Sequence, residues 1–356
     1  MGRTRGARIL DAAAVLAAAA LLAEVLDLAH LPSPALFGGV LVGLVRALAI
    51  RSRATVPAVA TMAAQAVIGV TMGALIDLGT LTEVAGHWLP VLLVTVGTLA
   101  LSLLAGLALR LQPGISPVTG AFSMIAGGAS GIVVMARELG ADERLVAVLQ
   151  YLRVLLIVVL MPLAATTVYG AASGSGSAAG GAGSGWAVGL LFTLGCAVVG
   201  LPAGRLLHIP VAAMLGPMLA AAVAGLAFGL HGTVPSVVQN AAFLVIGLQV
   251  GLNFTRASLA TIGRALPLAL AVIGGLILAC AGLGALLSAL TGASALDGYL
   301  ATTPGGLYAV LATASGSGAD TTFVLSVQVL RLFVMLLSAP LVARRLRRSV
   351  RGPVGG

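Results

Sequence analysis

Two arginines stand where arginine is costly. Arg153 lies in the run LVAVLQYLRVLLIVVLMPL and Arg331 in TTFVLSVQVLRLFVMLLSAPL, both otherwise almost wholly apolar. Each has a glutamine three residues earlier, Gln150 and Gln328, about one helical turn back and on the same face. Each also follows an aspartate by eleven residues, Asp142 and Asp320. Farther upstream comes a glycine pair, Gly127-Gly128 in one case and Gly305-Gly306, preceded by Pro304, in the other. At about 1.5 Å per helical residue each arginine falls about 16 Å beyond its aspartate. That is close to the middle of a hydrocarbon core about 30 Å thick. A charge at that depth costs at least about 2.5–3.5 kcal/mol and points by default to function. Guanidinium grips a carboxylate or phosphate in a two-pronged way. A helix interrupted at glycine offers a positive N-terminal end to the same anion.

Two readings of this constellation are open. In one, Arg153, Arg331, Gln150 and Gln328 contact a substrate together with the broken backbone at Gly127, Gly128, Pro304, Gly305 and Gly306. In the other, the arginines bind orphan carbonyls of the broken segments and hold them in place. Asp142 and Asp320 open the helices that carry the arginines, so they read either as N-caps or as ligands of a coupling cation. Asp297, Tyr299, Thr302 and Thr303 line the start of the second broken segment. Gln239, Asn240, Gln249 and Asn253 share one apolar stretch, where they either join helices or line a cavity.

The elements that must position these residues are membrane spans. The chain of 356 residues is 60% hydrophobic and only 8% charged, against about 25% charged in soluble domains. Its mean hydropathy is +1.14. Apolar runs near twenty residues recur along its length, as an all-α polytopic membrane protein requires. Only 4% of residues are aromatic, which argues against an outer-membrane barrel with aromatic girdles. The net charge of +9 comes from nineteen arginines without a lysine. These lie in short loops between apolar spans, so topology accounts for them and nucleic acid is not expected as a partner. Cys196 and Cys280 both fall inside apolar spans and read as small core residues. The basic start and apolar stretch from residue 8 read as a retained first helix rather than a signal peptide.

Shifting the sequence by 178 residues aligns it with itself. HLPSPALFGGVLVG from His30 matches HIPVAAMLGPMLAA from His208, Ile68-Gly69 with Gly73 matches Ile246-Gly247 with Gly251, and Pro162-Leu163 matches Pro340-Leu341. The chain therefore reads as repeat 1 over 1–170, a Gly/Ser linker over 171–185, repeat 2 over 186–346 and a basic tail over 347–356. Each repeat has six apolar segments. If the fifth segment of each dips in and returns on its own side, each repeat crosses five times and the second is inverted. Seventeen of the nineteen arginines then fall on the cytoplasmic side, as positive-inside topology expects. Arg153 and Arg331 remain inside the membrane. Twelve crossings in parallel repeats fit the arginines less well. Gly39-x-x-x-Gly43, Gly69-x-x-x-Gly73 and Gly247-x-x-x-Gly251 mark close helix contacts rather than ligand sites.

No nucleophile–base pair, cofactor fingerprint or metal-ligating cluster is evident. His30, His87, His208 and His231 sit at segment ends without metal spacing. An enzyme, a metal and a cofactor are accordingly not expected.

The twice-written Gly-Gly … Gly-Ala-Asp … Gln-x-x-Arg … Pro-Leu pattern, with Thr303-Pro304-Gly305-Gly306-Leu307 in the second copy, resembles the duplicated AbrB family of bacterial integral membrane proteins. It does not resemble the small DNA-binding regulators that share the name. The likeness runs from about residue 10 to 346, and departs where Ala126 stands in place of the second copy's Pro304. It implies an inner-membrane protein and, through labels the family carries, a link to regulation of gene expression. The residues themselves favour a secondary transporter of a small anionic or zwitterionic solute, coupled to protons or sodium, with both termini cytoplasmic. The sequence leaves the oligomeric state open, a homodimer being suggested by analogy with other transporters alone.

Overall fold

The computed structural model describes residues 5–28, 33–49, 55–76, 78–125, 136, 141–171, 186–209, 211–230, 232–253, 263 and 265–350. Among them the regular structure is entirely helical. In chain order the helices are α1 (Arg5–Leu28), α2 (Pro34–Ala49), α3 (Ala58–Ala74), α4 (Leu78–Gly86), α5 (Trp88–Ala108), α6 (Pro117–Met124) and α7 (Glu143–Thr167). They continue with α8 (Trp186–Leu206), α9 (Ala212–Phe228), α10 (Ser236–Leu252), α11 (Leu266–Thr291), α12 (Ala295–Thr302), α13 (Leu307–Ser317) and α14 (Thr321–Val350). Among the described residues four stretches, Trp88–Leu111, Glu143–Thr167, Trp186–Leu206 and Leu266–Thr291, are long and apolar enough to cross a membrane, and several shorter helices are apolar too. The chain is a multi-pass helical membrane protein.

The 178-residue repeat in the sequence is also a repeat of helix boundaries. Both ends of α3 recur in α10, and both ends of α6 recur in α12, at that offset. The starts of α5 and α7 recur as the starts of α11 and α14. The likeness extends to backbone strain. Ser33 and Val211, equivalent residues just ahead of α2 and α9, both adopt the left-handed conformation, with φ 59° and 53°. That conformation is unfavourable for a β-branched valine, so the packing that follows must impose it. The short α4 has no marked counterpart in the six-segment reading of the sequence.

The repeats are not the packing units. One compact unit gathers 1–81, 158–255 and 308–322; the other gathers 82–157, 256–307 and 323–356. In the first, α2 packs on α10 and α3 on α9, so each partner comes from the other copy. Glycines make those approaches. A methyl group on Gly39 or Gly43 would meet backbone of α10, and one on Gly247 or Gly251 would meet backbone of α2. Gly69 and Gly73 of α3 lie equally close to the carbonyls of Met214 and Met218. The small-residue motifs are thus contacts between copies. In this unit Arg46, in the last turn of α2, is buried and pairs with Asp11 of α1 at 2.7 Å.

In the second unit α5 packs on α6 and α11 on α12. The Gly106–Gly120 approach recurs as Gly284–Gly298. Both short helices start on a serine N-cap. Ser116 accepts from the Thr119 N–H, and Ser294 forms a capping box with Asp297. That capping role accounts for the buried Asp297 carboxylate. Buried clusters around Phe122 and Met335, and around Leu287 and Phe323, fill the space between these helices and α7 and α14.

Candidate functional site

The site grows from two helix ends. α12 stops at Thr302, and Thr303 is extended at ψ 124°, as a residue ahead of proline prefers. The Gly305 N–H turns back to the Thr303 carbonyl at 2.8 Å across Pro304, and α13 begins at Leu307. The second broken segment is therefore two helices joined by an extended tip at Pro304–Gly306. α6 stops at Met124, and Ile125 is also extended at ψ 124° although Ala126 follows it. Proline is not what ends α6. Gly127 and Gly128 lie outside the described residues.

What the two ends share is a side-chain clamp. Gln150 donates from Nε2 to the carbonyls of Phe122 at 2.6 Å and Ile125 at 2.8 Å. Arg153 donates from Nη1 to the Met124 carbonyl at 2.5 Å and from Nη2 to Gln150 Oε1 at 2.8 Å. The second copy repeats this pattern. Gln328 Nε2 reaches the carbonyls of Leu300 at 2.7 Å and Thr303 at 3.3 Å. Arg331 Nη1 reaches Thr303 at 2.6 Å and Thr302 at 3.2 Å, and its Nη2 meets Gln328 Oε1 at 2.5 Å. These are the last-turn carbonyls that a helix leaves without partners, at its negative end. The i+4 residue for the Leu300 carbonyl is Pro304, which has no N–H to offer.

The clamp does not use up the guanidinium groups. All four side chains are at most 3% exposed. Nε of Arg153 and of Arg331 is buried without a partner among the described residues. Every hydrogen-bond partner described for the two guanidinium groups is neutral. Two buried guanidinium groups held on neutral acceptors are therefore left without a counter-charge among the described residues.

The other candidates are placed as follows. The Asp142 carboxylate accepts from the N–H groups of Arg144 at 3.0 Å and Leu145 at 3.1 Å, which is N-cap geometry at α7. Its own N–H donates to the Thr119 hydroxyl at 3.1 Å. Asp142→Ala is expected to cost about 1 kcal/mol of stability, read as a lowered thermal midpoint of the purified protein. Asp320 stands at the equivalent position ahead of α14. The hydroxyls of Thr302 and Thr303 donate to carbonyls of α12 itself, and Thr302 also reaches Cys280 O at 2.8 Å. Gln239 and Asn240 line a cavity in the first unit, with Glu24 and Asp27. Those two acids were not singled out in the sequence, since acids at a segment end look like ordinary interfacial residues.

Comparison with known proteins agrees with the repeated motif. Residues 35–347 match the family described as "Transition state regulatory protein AbrB". The chain is 35% identical over 322 residues to "Putative regulator AbrB" of Escherichia coli (strain K12), covering 88% of this chain and 90% of that one. It is 27% identical over 293 residues to "Uncharacterized protein YhjN" of Bacillus subtilis (strain 168), covering 78% and 76%. The clamp motif, the helical fold and the near full-length match agree: the chain belongs to the AbrB family, as a multi-pass helical membrane protein.

Proposed function

We propose that the chain is a secondary transporter of a small anionic or zwitterionic solute, built from two inverted repeats of five crossings and one re-entrant segment. The observation that carries this reading is the arginine pair, both buried and, among the described residues, hydrogen-bonded only to neutral groups. A solute carboxylate or phosphate supplies the missing negative charge. The broken helices give backbone that survives at membrane depth only when packed in protein or lining a water-filled path. The matched clamps give each copy the same device, as alternating access between inverted halves requires. Positive-inside bookkeeping assigns the inner membrane and cytoplasmic termini. Proton or sodium coupling is the energy source in this reading. Catalysis has no part in it.

The test is uptake by proteoliposomes holding the full chain, over a panel of small organic acids and amino acids, with an imposed proton or sodium gradient. Arg153→Lys and Arg331→Lys keep the charge but lose the planar fork. Each is expected to lower uptake at least about tenfold in protein that remains monodisperse. Undiminished uptake by both folded variants overturns the site.

A second reading, a membrane-embedded regulator, is favoured by the name of the Escherichia coli relative. It predicts altered transcripts in cells whose protein binds a solute without moving it.

A further inference from the structure

The first unit contains a cavity of about 490 Å³. α1 brings Glu24 and Asp27 to it, three residues apart and so on one helical face. α10 brings Gln239 and Asn240. Leu16 of α1 and Phe243 of α10 add apolar wall. Gln239 is only 5% exposed, yet its side-chain amide has no hydrogen-bond partner among the described residues. The two carboxylates and Asn240 likewise have neither ion pair nor side-chain hydrogen bond there. The Gln239 amide therefore faces the cavity rather than protein partners, and Glu24, Asp27 and Asn240 are exposed beside it.

The two carboxylates set a negative charge on the cavity, and the two amides offer acceptors as well as donors, so the complement is a cation that itself donates N–H bonds. Among the described residues no third His, Cys, Asp or Glu joins the pair to complete a metal-binding group. A bare ion would also leave most of the volume and the apolar wall unused, whereas small-molecule pockets are commonly about 300–1,000 Å³ and largely apolar. We propose that this cavity binds a primary ammonium group carried on a small organic body, with Glu24 and Asp27 as counter-charges and Gln239 as the deep acceptor. It shares no residue with the arginine site and stands independently of the anion reading. In the proposed topology the end of α1 and the start of α10 lie on the same, outer, side. Two sources present this chemistry there: a free amine and the headgroup of phosphatidylethanolamine.

The experiment uses the full chain in nanodiscs of phosphatidylglycerol alone, or of phosphatidylglycerol mixed with phosphatidylethanolamine. Ethanolamine is titrated by calorimetry at neutral pH, with ethylene glycol as the uncharged control. Saturable binding of ethanolamine alone is expected in phosphatidylglycerol. It should weaken at least about tenfold in E24Q/D27N and measurably in Q239L. Equal binding in both discs assigns a free amine; loss of binding in the mixed discs assigns the lipid headgroup. Q239L decides if the double variant does not fold. Absence of saturable binding in phosphatidylglycerol, or binding unchanged in the folded variants, overturns the proposal.

Discussion

Gln328→Leu is expected to destabilise the protein by about 2–5 kcal/mol, seen as a fall in the thermal midpoint of detergent-purified protein and in the denaturant needed to unfold it. Leucine is close in size to glutamine, so the loss is one of hydrogen bonds rather than volume. Three groups lose a partner at once. The Leu300 carbonyl loses its Gln328 donor, and Pro304 cannot replace it. Thr303 loses one of its side-chain donors, and Arg331 loses the acceptor for Nη2. All of this is buried, where water does not step in. Gln150→Leu is expected to behave in the same way, because it removes the equivalent bonds to Phe122 and Ile125 and the acceptor of Arg153. Unchanged stability in both variants would mean that other contacts, not these side chains, end α6 and α12. Reduced stability with intact solute binding would assign the glutamines to the clamp and leave the free Nε atoms to the solute.

How far the chain discloses this arrangement follows from what side chains record. The duplication was legible because polar, glycine and proline positions keep register at one offset, and helix boundaries repeat with them. Gln-x-x-Arg was legible as a pair on one face. The atoms that the pair holds were not, since they are main-chain carbonyls of Phe122, Met124, Leu300 and Thr302, which any residue carries. Ala126 stands where the second copy has Pro304. The described ends nevertheless match, Ile125 and Thr303 both being extended, because the clamp rather than the proline is common to them. The packing units were hidden for a different reason. A repeat read along the chain shows which segments are alike but not that α2 seeks α10 and α3 seeks α9. Gln239 and Asn240 had no assignment in the sequence because a polar residue in an apolar helix serves a helix contact or a cavity equally well; only placement beside Glu24 and Asp27 separates these.

Gly247→Leu is expected to abolish the folded protein, or cost it well over about 3 kcal/mol, because overpacking here strikes main chain. The first side-chain atom at that position would meet the carbonyl oxygen of Leu36, with the Val40 amide and Gly39 Cα close behind. A crowded side chain changes rotamer, whereas a helix backbone moves only as a body. The same collision is built in from the other side, where Gly39 faces the Leu244 carbonyl, so neither helix can withdraw without opening the whole crossing. Between membrane helices little hydrophobic force compensates a lost contact, since lipid tails are as apolar as leucine; close approach is itself the source of association. Gly247→Ala should lie between wild type and leucine. The control is Gly274→Leu or Gly275→Leu in α11, where an added carbon meets nothing within 4 Å. The monodisperse fraction recovered in detergent and its thermal midpoint should be unchanged there. Equal tolerance of leucine at 247 and 275 would dismiss the crossing of α2 and α10 as a contact that joins the two copies. Failure at 247 alone ties the Gly-x-x-x-Gly spacing to that contact, and separates it from the glycines at Pro304–Gly306, where Gly306 has only the Val154 side chain within 4 Å and the backbone turn sets the demand.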